Sequence, residues 1–162
     1  MKRKKYWTAC IDVIAHKRNI ASHVAEPTDA LAVPYGQSVI NRSDVKTCLS
    51  DLLGGLACEA VVLIMLDSSN HVIGGARLAV GVSTACYITP KQIFCAALLC
   101  GATSIILAHN HPGGAQFASE PDWEITNAVY KAGVALSIAL LDHVIVTENA
   151  TISLRESPRW PH

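Results

Sequence analysis

IILAHNHPGGAQFASEPDWEIT, Ile105 to Thr126, joins an apolar run, two histidines, a Pro-Gly-Gly turn and a helix start. It opens on an apolar run, Ile105, Ile106 and Leu107, that suits a buried strand. Pro112-Gly113-Gly114 is a turn, and its glycines permit positive φ or close backbone approach. A helix then starts near Ser119 and is expected to end at Gly133. His109 and His111 stand where the strand runs out into the loop, a common place for active groups in such sheets. In an extended chain residues i and i+2 project to one side, so both imidazoles can reach the same ion.

Two readings of the helix start stand side by side. Ser119-x-x-Asp122 is a capping box, with Asp in place of the more usual Glu or Gln. Alternatively Asp122 is a third metal ligand beside His109 and His111. Catalytic zinc takes about three protein ligands and leaves one position for water. Bound zinc lowers the pKa of that water to about 7. Such chemistry also needs a base that is not itself a strong ligand. Glu59 is the candidate, because it opens the apolar run Ala60 to Leu66 and a carboxylate there is costly to bury unless paired or functional. Its bland reading is a solvent-facing strand start.

Outward from this stretch, helices and strands are mixed. Val45, Cys48, Leu49 and Leu52 fall at helical spacing, and Gly54-Gly55 ends that helix. Glu59 to Leu66 and His71 to Val80 read as a hairpin about the turn Asp67 to Asn70. A short strand is expected over 84–88, and a helix from Pro90 to the stop at Gly101. After Gly133, three short strands are expected: Leu136 to Leu141, Val144 to Thr147 and Thr151 to Leu154. The pattern favours a mixed α/β (α+β) fold, a mixed sheet flanked by about three helices, over a doubly wound parallel one. Residues 1–40 read as a partly irregular N-terminal extension, 41–156 as the domain and 157–162 as a C-terminal tail.

The bulk composition narrows the classes. The chain has 162 residues, enough for one domain with a real core. Hydrophobic residues at 51% against 16% charged argue for a folded chain. The formal net charge is zero, so no general field draws in nucleic acid. Lys2 to Lys5 is the one place to look for a basic arm. The N-terminus fails as a secretory signal because its short apolar run holds Asp12 and is followed by Lys17 and Arg18. No run reaches the roughly 18 apolar residues of a membrane span. The six cysteines form no Cys-x-x-Cys pair and most lie in apolar runs. They read as reduced and buried, in a cytoplasmic protein.

His109-x-His111, seven residues, then Ser119-x-x-Asp122 resembles the metal-binding signature of JAB/MPN (JAMM) metalloproteases. The finer resemblance is to the RadC-like branch. It is carried by LAHNHP (107–112), Ile125-Thr126, LLDHVIV (140–146), TPKQIF (89–94) and EAVVLIMLDSSNHVI from Glu59. The resemblance runs over roughly residues 40–156 and implies a JAB/MPN fold with one zinc per chain. It implies His109, His111 and Asp122 as ligands, Glu59 as general base and Ser119 as a hydrogen-bond donor to the oxyanion. The expected reaction is hydrolysis of an amide bond in a peptide or isopeptide. This chain departs from the branch at Gly113, where a serine is common, and at Ala118, where a proline is common. The alternative is a DNA-associated accessory factor, as the name of the branch suggests. The longer relatives' helical DNA-binding region does not fit within residues 1–40, which weakens that reading. A scaffold without metal ranks last, since every ligand is present. His143 resembles a position of the family and reads as a structural histidine or one that supports the site from behind its ligands, the hydrogen-bonded core or edge histidine being favoured, and Trp123 reads as a packing residue.

Overall fold

The computed structural model describes residues 42–80 and 88–162. The extension 1–40 with Lys2 to Lys5, Cys10, Cys86 and all of the expected strand over 84–88 except Ile88 lie outside the described residues. The elements run α1 (Arg42–Leu53), β1 (Ala60–Leu66), β2 (Val72–Val80), α2 (Pro90–Cys100), β3 (Ser104–Asn110), α3 (Glu120–Leu136), β4 (Ala139–Val146) and β5 (Thr151–Ser153). A 3-10 turn, Leu154–Glu156, follows.

The five strands form one mixed sheet in the order β2-β1-β3-β4-β5. β1 is antiparallel to β2 and β3, β3 is parallel to β4, and β4 is antiparallel to β5. The parallel pair needs a crossover, and α3 supplies it. Every residue of β1 and β3 is buried. Both faces of the sheet are covered, which is why these strands read as unbroken apolar runs. Val61, Leu63, Met65, Ile105 and Leu107 pack toward α2 and α3, with Phe94, Trp123 and Val129 among their neighbours. Val62, Ile64, Ile106 and Ala108 pack toward Leu49 and Leu53 of α1. The architecture is therefore the mixed α/β sheet with three helices that the patterning implies.

Local chemistry explains most boundaries. Thr89 caps α2 in a box with Gln92, Pro90 stands in the first turn, and Gly101 closes the helix at φ 69°. At the hairpin, the Asp67 carboxylate accepts from the backbone N–H of Ser69 and His71 at 2.8 and 2.9 Å. Asn70 takes the left-handed conformation at φ 59°.

Three expectations need correction. Helix α3 does not stop at Gly133 but runs on to Leu136, and Ser137 takes the left-handed cap at φ 57°. Gly133 is there for space. A Cβ on it would lie 2.4 Å from the Ile138 carbonyl oxygen and 3.3 Å from Phe94, where α2 crosses. Next, the late region holds two strands, not three. Leu141 is the extra residue of a bulge, since Ile105 pairs with Leu140 and Ile106 with Asp142. The Asp142-His143 pair that looked like a break is thus inside β4. Finally, of the described cysteines Cys48, Cys95 and Cys100 are half-buried and Cys58 is exposed, so they are not core residues. None of these four forms a disulfide.

Beyond residue 156 the chain packs back onto the domain. Trp160 is 7% exposed in the cluster facing α2 and α3. Arg159 donates to both carboxylate oxygens of Glu120, at 2.7 and 2.8 Å, and lies 4.9 Å above the Trp123 ring. Among the described residues no helix is long and apolar enough to cross a membrane.

Candidate metal centre

Strand alternation delivers the histidines. Ile105 and Leu107 face α2 and α3, so the next residue in that series, His109, does too. It is 3% exposed. His111 stands just past the strand end, where its backbone N–H donates to the Val146 carbonyl at 2.8 Å. Its ring Nδ1 lies 2.9 Å from the Ala115 carbonyl oxygen. A carbonyl can only accept, so Nδ1 carries the proton and Nε2 of the neutral ring carries a lone pair.

The turn between strand and helix closes with Gly114 N–H donating to the His111 carbonyl at 3.0 Å. Gly114 has φ 75° and needs to be glycine. Gly113 does not, because its backbone is not left-handed and a Cβ there meets nothing within 4 Å. A serine at that position fits the same turn.

Helix α3 returns Asp122. The capping box forms in full: Ser119 N–H and Ser119 Oγ donate to Asp122 Oδ2 at 2.7 and 2.6 Å, and Asp122 N–H donates to Ser119 Oγ at 3.3 Å. The cap holds the aspartate in place with its other oxygen turned to His109 and the capping oxygen itself nearest His111. Oδ1 lies 3.1 Å from His109 Nε2, and Oδ2 lies 3.5 Å from His111 Nε2. The two Nε2 atoms are 3.0 Å apart. His109, His111 and Asp122 each offer one ligand atom within 4.8 Å of the others, a group that could hold a metal ion. Donors at about 2.0–2.1 Å from one tetrahedral ion stand about 3.3–3.4 Å apart. The two nitrogens stand 3.0 Å apart, and each has a different Asp122 oxygen nearest it, Oδ1 at 3.1 Å from His109 and Oδ2 at 3.5 Å from His111, so a donor set of the right type gathers close to that spacing.

Electrostatics agrees with the geometry. Burial pushes the Asp122 carboxyl up, but hydrogen bonds and charge from His109 and His111, with the Ser119 hydroxyl, outweigh it and hold the group well below the usual carboxylate range. The Asp122 hydrogen bond raises His111 against the opposing effect of its burial, and the charge of Glu59 adds to the rise.

The strand pairing brings the Glu59 backbone toward the cluster. Val61 pairs with His109, so continuing the antiparallel register two residues sets Glu59 across from His111. Glu59 is half-buried and lies just outside β1 rather than inside it. What fixes it there is Asn110, which carries no role in the sequence reading. Asn110 follows His109 and so points to the opposite face of the sheet. Its Oδ1 accepts from the buried Ala60 N–H at 2.7 Å, and its Nδ2 donates to the carbonyls of Cys58 at 3.0 Å and Leu56 at 3.3 Å. Both peptide neighbours of Glu59 are thus tied to the residue between the two histidines. Asn110→Ala is expected to cost about 1–3 kcal/mol in denaturant unfolding of the metal-free protein, because the buried Ala60 N–H loses its acceptor. A change below about 0.5 kcal/mol contradicts this account of the clamp.

Two further residues complete the surroundings. His143 is 1% exposed, and its Nε2 lies 2.9 Å from His109 Nδ1. Burial, reinforced by the charge of His109, holds His143 well below the ordinary imidazole range. Thr126, fully buried, lies 2.6 Å from His143 Nδ1 and donates to the Asp122 carbonyl at 2.5 Å. The signal for Thr126 was its position one helical turn after Asp122.

Comparison with known proteins bears on the same residues. The model of the RadC-like JAB domain matches residues 39–159. The UPF0758 protein of Shouchella clausii is 37% identical over 118 residues, 73% of this chain and 51% of that protein. The UPF0758 protein of Caldanaerobacter subterraneus is 36% identical over 119 residues, 74% of this chain and 51% of its own length. A UPF0758 protein of Clostridium perfringens is 39% identical over 114 residues, 70% of this chain and 50% of that protein. The chain spans about half the length of the curated relatives it matches. Because the family match takes in the whole described sheet, its helices and the His-His-Asp cluster together, the chain belongs to the RadC-like JAB domain family.

Proposed function

We propose that the chain is a zinc-dependent hydrolase of amide bonds, a peptidase or isopeptidase of the JAMM type. The observation that carries this reading is the convergence of His109 Nε2, His111 Nε2 and the Asp122 carboxylate, with one ligand atom from each within 4.8 Å of the others. Three electron-rich groups face one another there, an arrangement that a cation relieves. Two nitrogens and a carboxylate oxygen are a donor set suited to zinc. A divalent ion held there supplies Lewis-acid polarisation of water and of the scissile carbonyl.

The chain's own groups supply the rest. Glu59 takes a proton from the attacking water at its carboxylate and returns it to the leaving nitrogen as the C–N bond breaks. Ser119 Oγ donates to the developing oxyanion. That hydroxyl here donates to Asp122 Oδ2, so it must rotate from the carboxylate to the substrate as charge develops. No covalent intermediate with the serine is needed. The free thiols of Cys48, Cys58, Cys95 and Cys100 support placing the reaction in a reducing, cytoplasmic compartment.

The test is metal analysis joined to turnover. Purified protein is expected to hold about one zinc per chain. Chelation should abolish hydrolysis of a peptide or isopeptide that the protein cleaves, and zinc should restore it. A chain that takes up no metal, or that cleaves equally well after chelation, overturns the proposal.

A further inference from the structure

We propose that Thr126 and His143 are positioning residues for the metal centre, forming a hydrogen-bonded chain that aims His109 Nε2 at the ion and ties β3 to α3. The proposal rests on the metal-binding reading above. It follows from counting protons along the chain. The Asp122 carbonyl can only accept, so the single hydroxyl proton of Thr126 goes to it across 2.5 Å. Thr126 Oγ must then accept from its other partner, and His143 Nδ1 at 2.6 Å carries an N–H. His143 is 1% exposed, and with the proton of its neutral ring at Nδ1, facing Thr126, its Nε2 is an acceptor. His109 Nδ1, 2.9 Å from that nitrogen, is therefore the donor. A neutral His109 then has its lone pair at Nε2, the atom beside His111 and Asp122.

The chain closes on itself. It begins at the backbone of one ligand, Asp122, and ends on the ring of another, His109. The residues that carry it come from α3 and β4, and the bulge at Leu141 sets His143 on the face that looks at α3. His111 has a separate orienting partner, the Ala115 carbonyl. Each histidine thus has its outer nitrogen engaged, but only His109 depends on side chains that a point substitution can remove. Metal-binding imidazoles in general lose affinity by about 10–100-fold when such an outer partner is lost.

The experiment measures zinc affinity by chelator competition and the visible spectrum of the cobalt-substituted full chain. Thr126→Val and His143→Leu are expected to weaken zinc binding by about 10–100-fold and to alter the cobalt spectrum. Thr126→Ser keeps the hydroxyl and should stay within about threefold of the wild type, well short of that loss. His143→Gln keeps an acceptor for His109 Nδ1 and should recover part of the loss. Recovery by the serine and glutamine variants is the readout that a purely structural role does not give. If His143→Leu does not fold, the Thr126→Val and Thr126→Ser pair decides alone. Wild-type zinc affinity and spectrum in Thr126→Val overturn the proposal while leaving the metal centre intact. A wild-type chain that binds no zinc overturns both.

Discussion

Asp122→Ala is expected to empty the metal centre, lowering zinc affinity by about 10²–10³-fold. Structural zinc binds four ligands with about 10–16 kcal/mol, so one ligand accounts for about 3–4 kcal/mol. The same substitution removes the acceptor for Ser119 N–H and Ser119 Oγ, at 2.7 and 2.6 Å, and with it the reciprocal half of the cap of α3. Loss of a cap typically costs about 1 kcal/mol. Asp122→Asn separates the two effects. Its amide oxygen can still accept from Ser119, so the helix keeps its cap, but the charge that offsets the ion is gone. The measurement is thermal unfolding with and without zinc. Wild-type protein should gain about 4 kcal/mol of stability at zinc concentrations 1,000 times the dissociation constant. Neither Asp122 variant should show that gain at the same zinc concentration. An Asp122→Ala protein that still holds one zinc per chain sinks the ligand assignment.

The parts of this molecule legible in its sequence are those set by short-range chemistry. The bounds of helix α2 were readable because Pro90 and Gly101 state its first turn and stop within a dozen residues, whereas the Thr89–Gln92 box that caps it is seen only in the structure. The convergence of His109, His111 and Asp122 was readable for the same reason. One strand alternation and one capped helix start generate it. Gly133 misled because a glycine at a helix end and a glycine at a helix crossing look alike. Only the approach of Phe94 and Ile138 distinguishes them. The Asp142-His143 pair misled because a polar interruption of an apolar run ordinarily marks a turn. Here both are satisfied inside the strand. Asp142 accepts from Ser153 Oγ at 2.7 Å and from the backbone of His143 at 2.8 Å, and His143 bridges His109 and Thr126.

Asn110 was illegible for a different reason. Its partners are 50 to 54 residues away and meet it only through the β1–β3 register. The departure at Gly113 also resolves once the backbone is seen. The turn needs a glycine at 114 only, so Gly113 changes what the loop presents, not how it turns.

That register governs the second large effect. Glu59→Gln is expected to leave zinc content and fold unchanged and to lower hydrolysis by about 10²–10⁴-fold, the usual contribution of a positioned base. The glutamine matches the shape of the glutamate but cannot take a proton from water. Geometry argues for Glu59 as base rather than as ligand. The strand register sets its backbone across from His111, while the group of three ligand atoms forms without it. Its backbone is held on both sides by Asn110, with Ala60 N–H at 2.7 Å and the Cys58 carbonyl at 3.0 Å. The backbone that carries the carboxylate therefore moves with the strand that carries the histidines. A base held this way has its position decided before substrate arrives. Asn110→Ala should accordingly mimic part of the Glu59→Gln loss while still retaining zinc. Measured on any peptide or isopeptide that the wild-type chain cleaves, Glu59→Gln turnover equal to wild type would remove the carboxylate from the mechanism. Loss of zinc in that variant would instead make Glu59 a ligand, and the base would have to be sought elsewhere around His111.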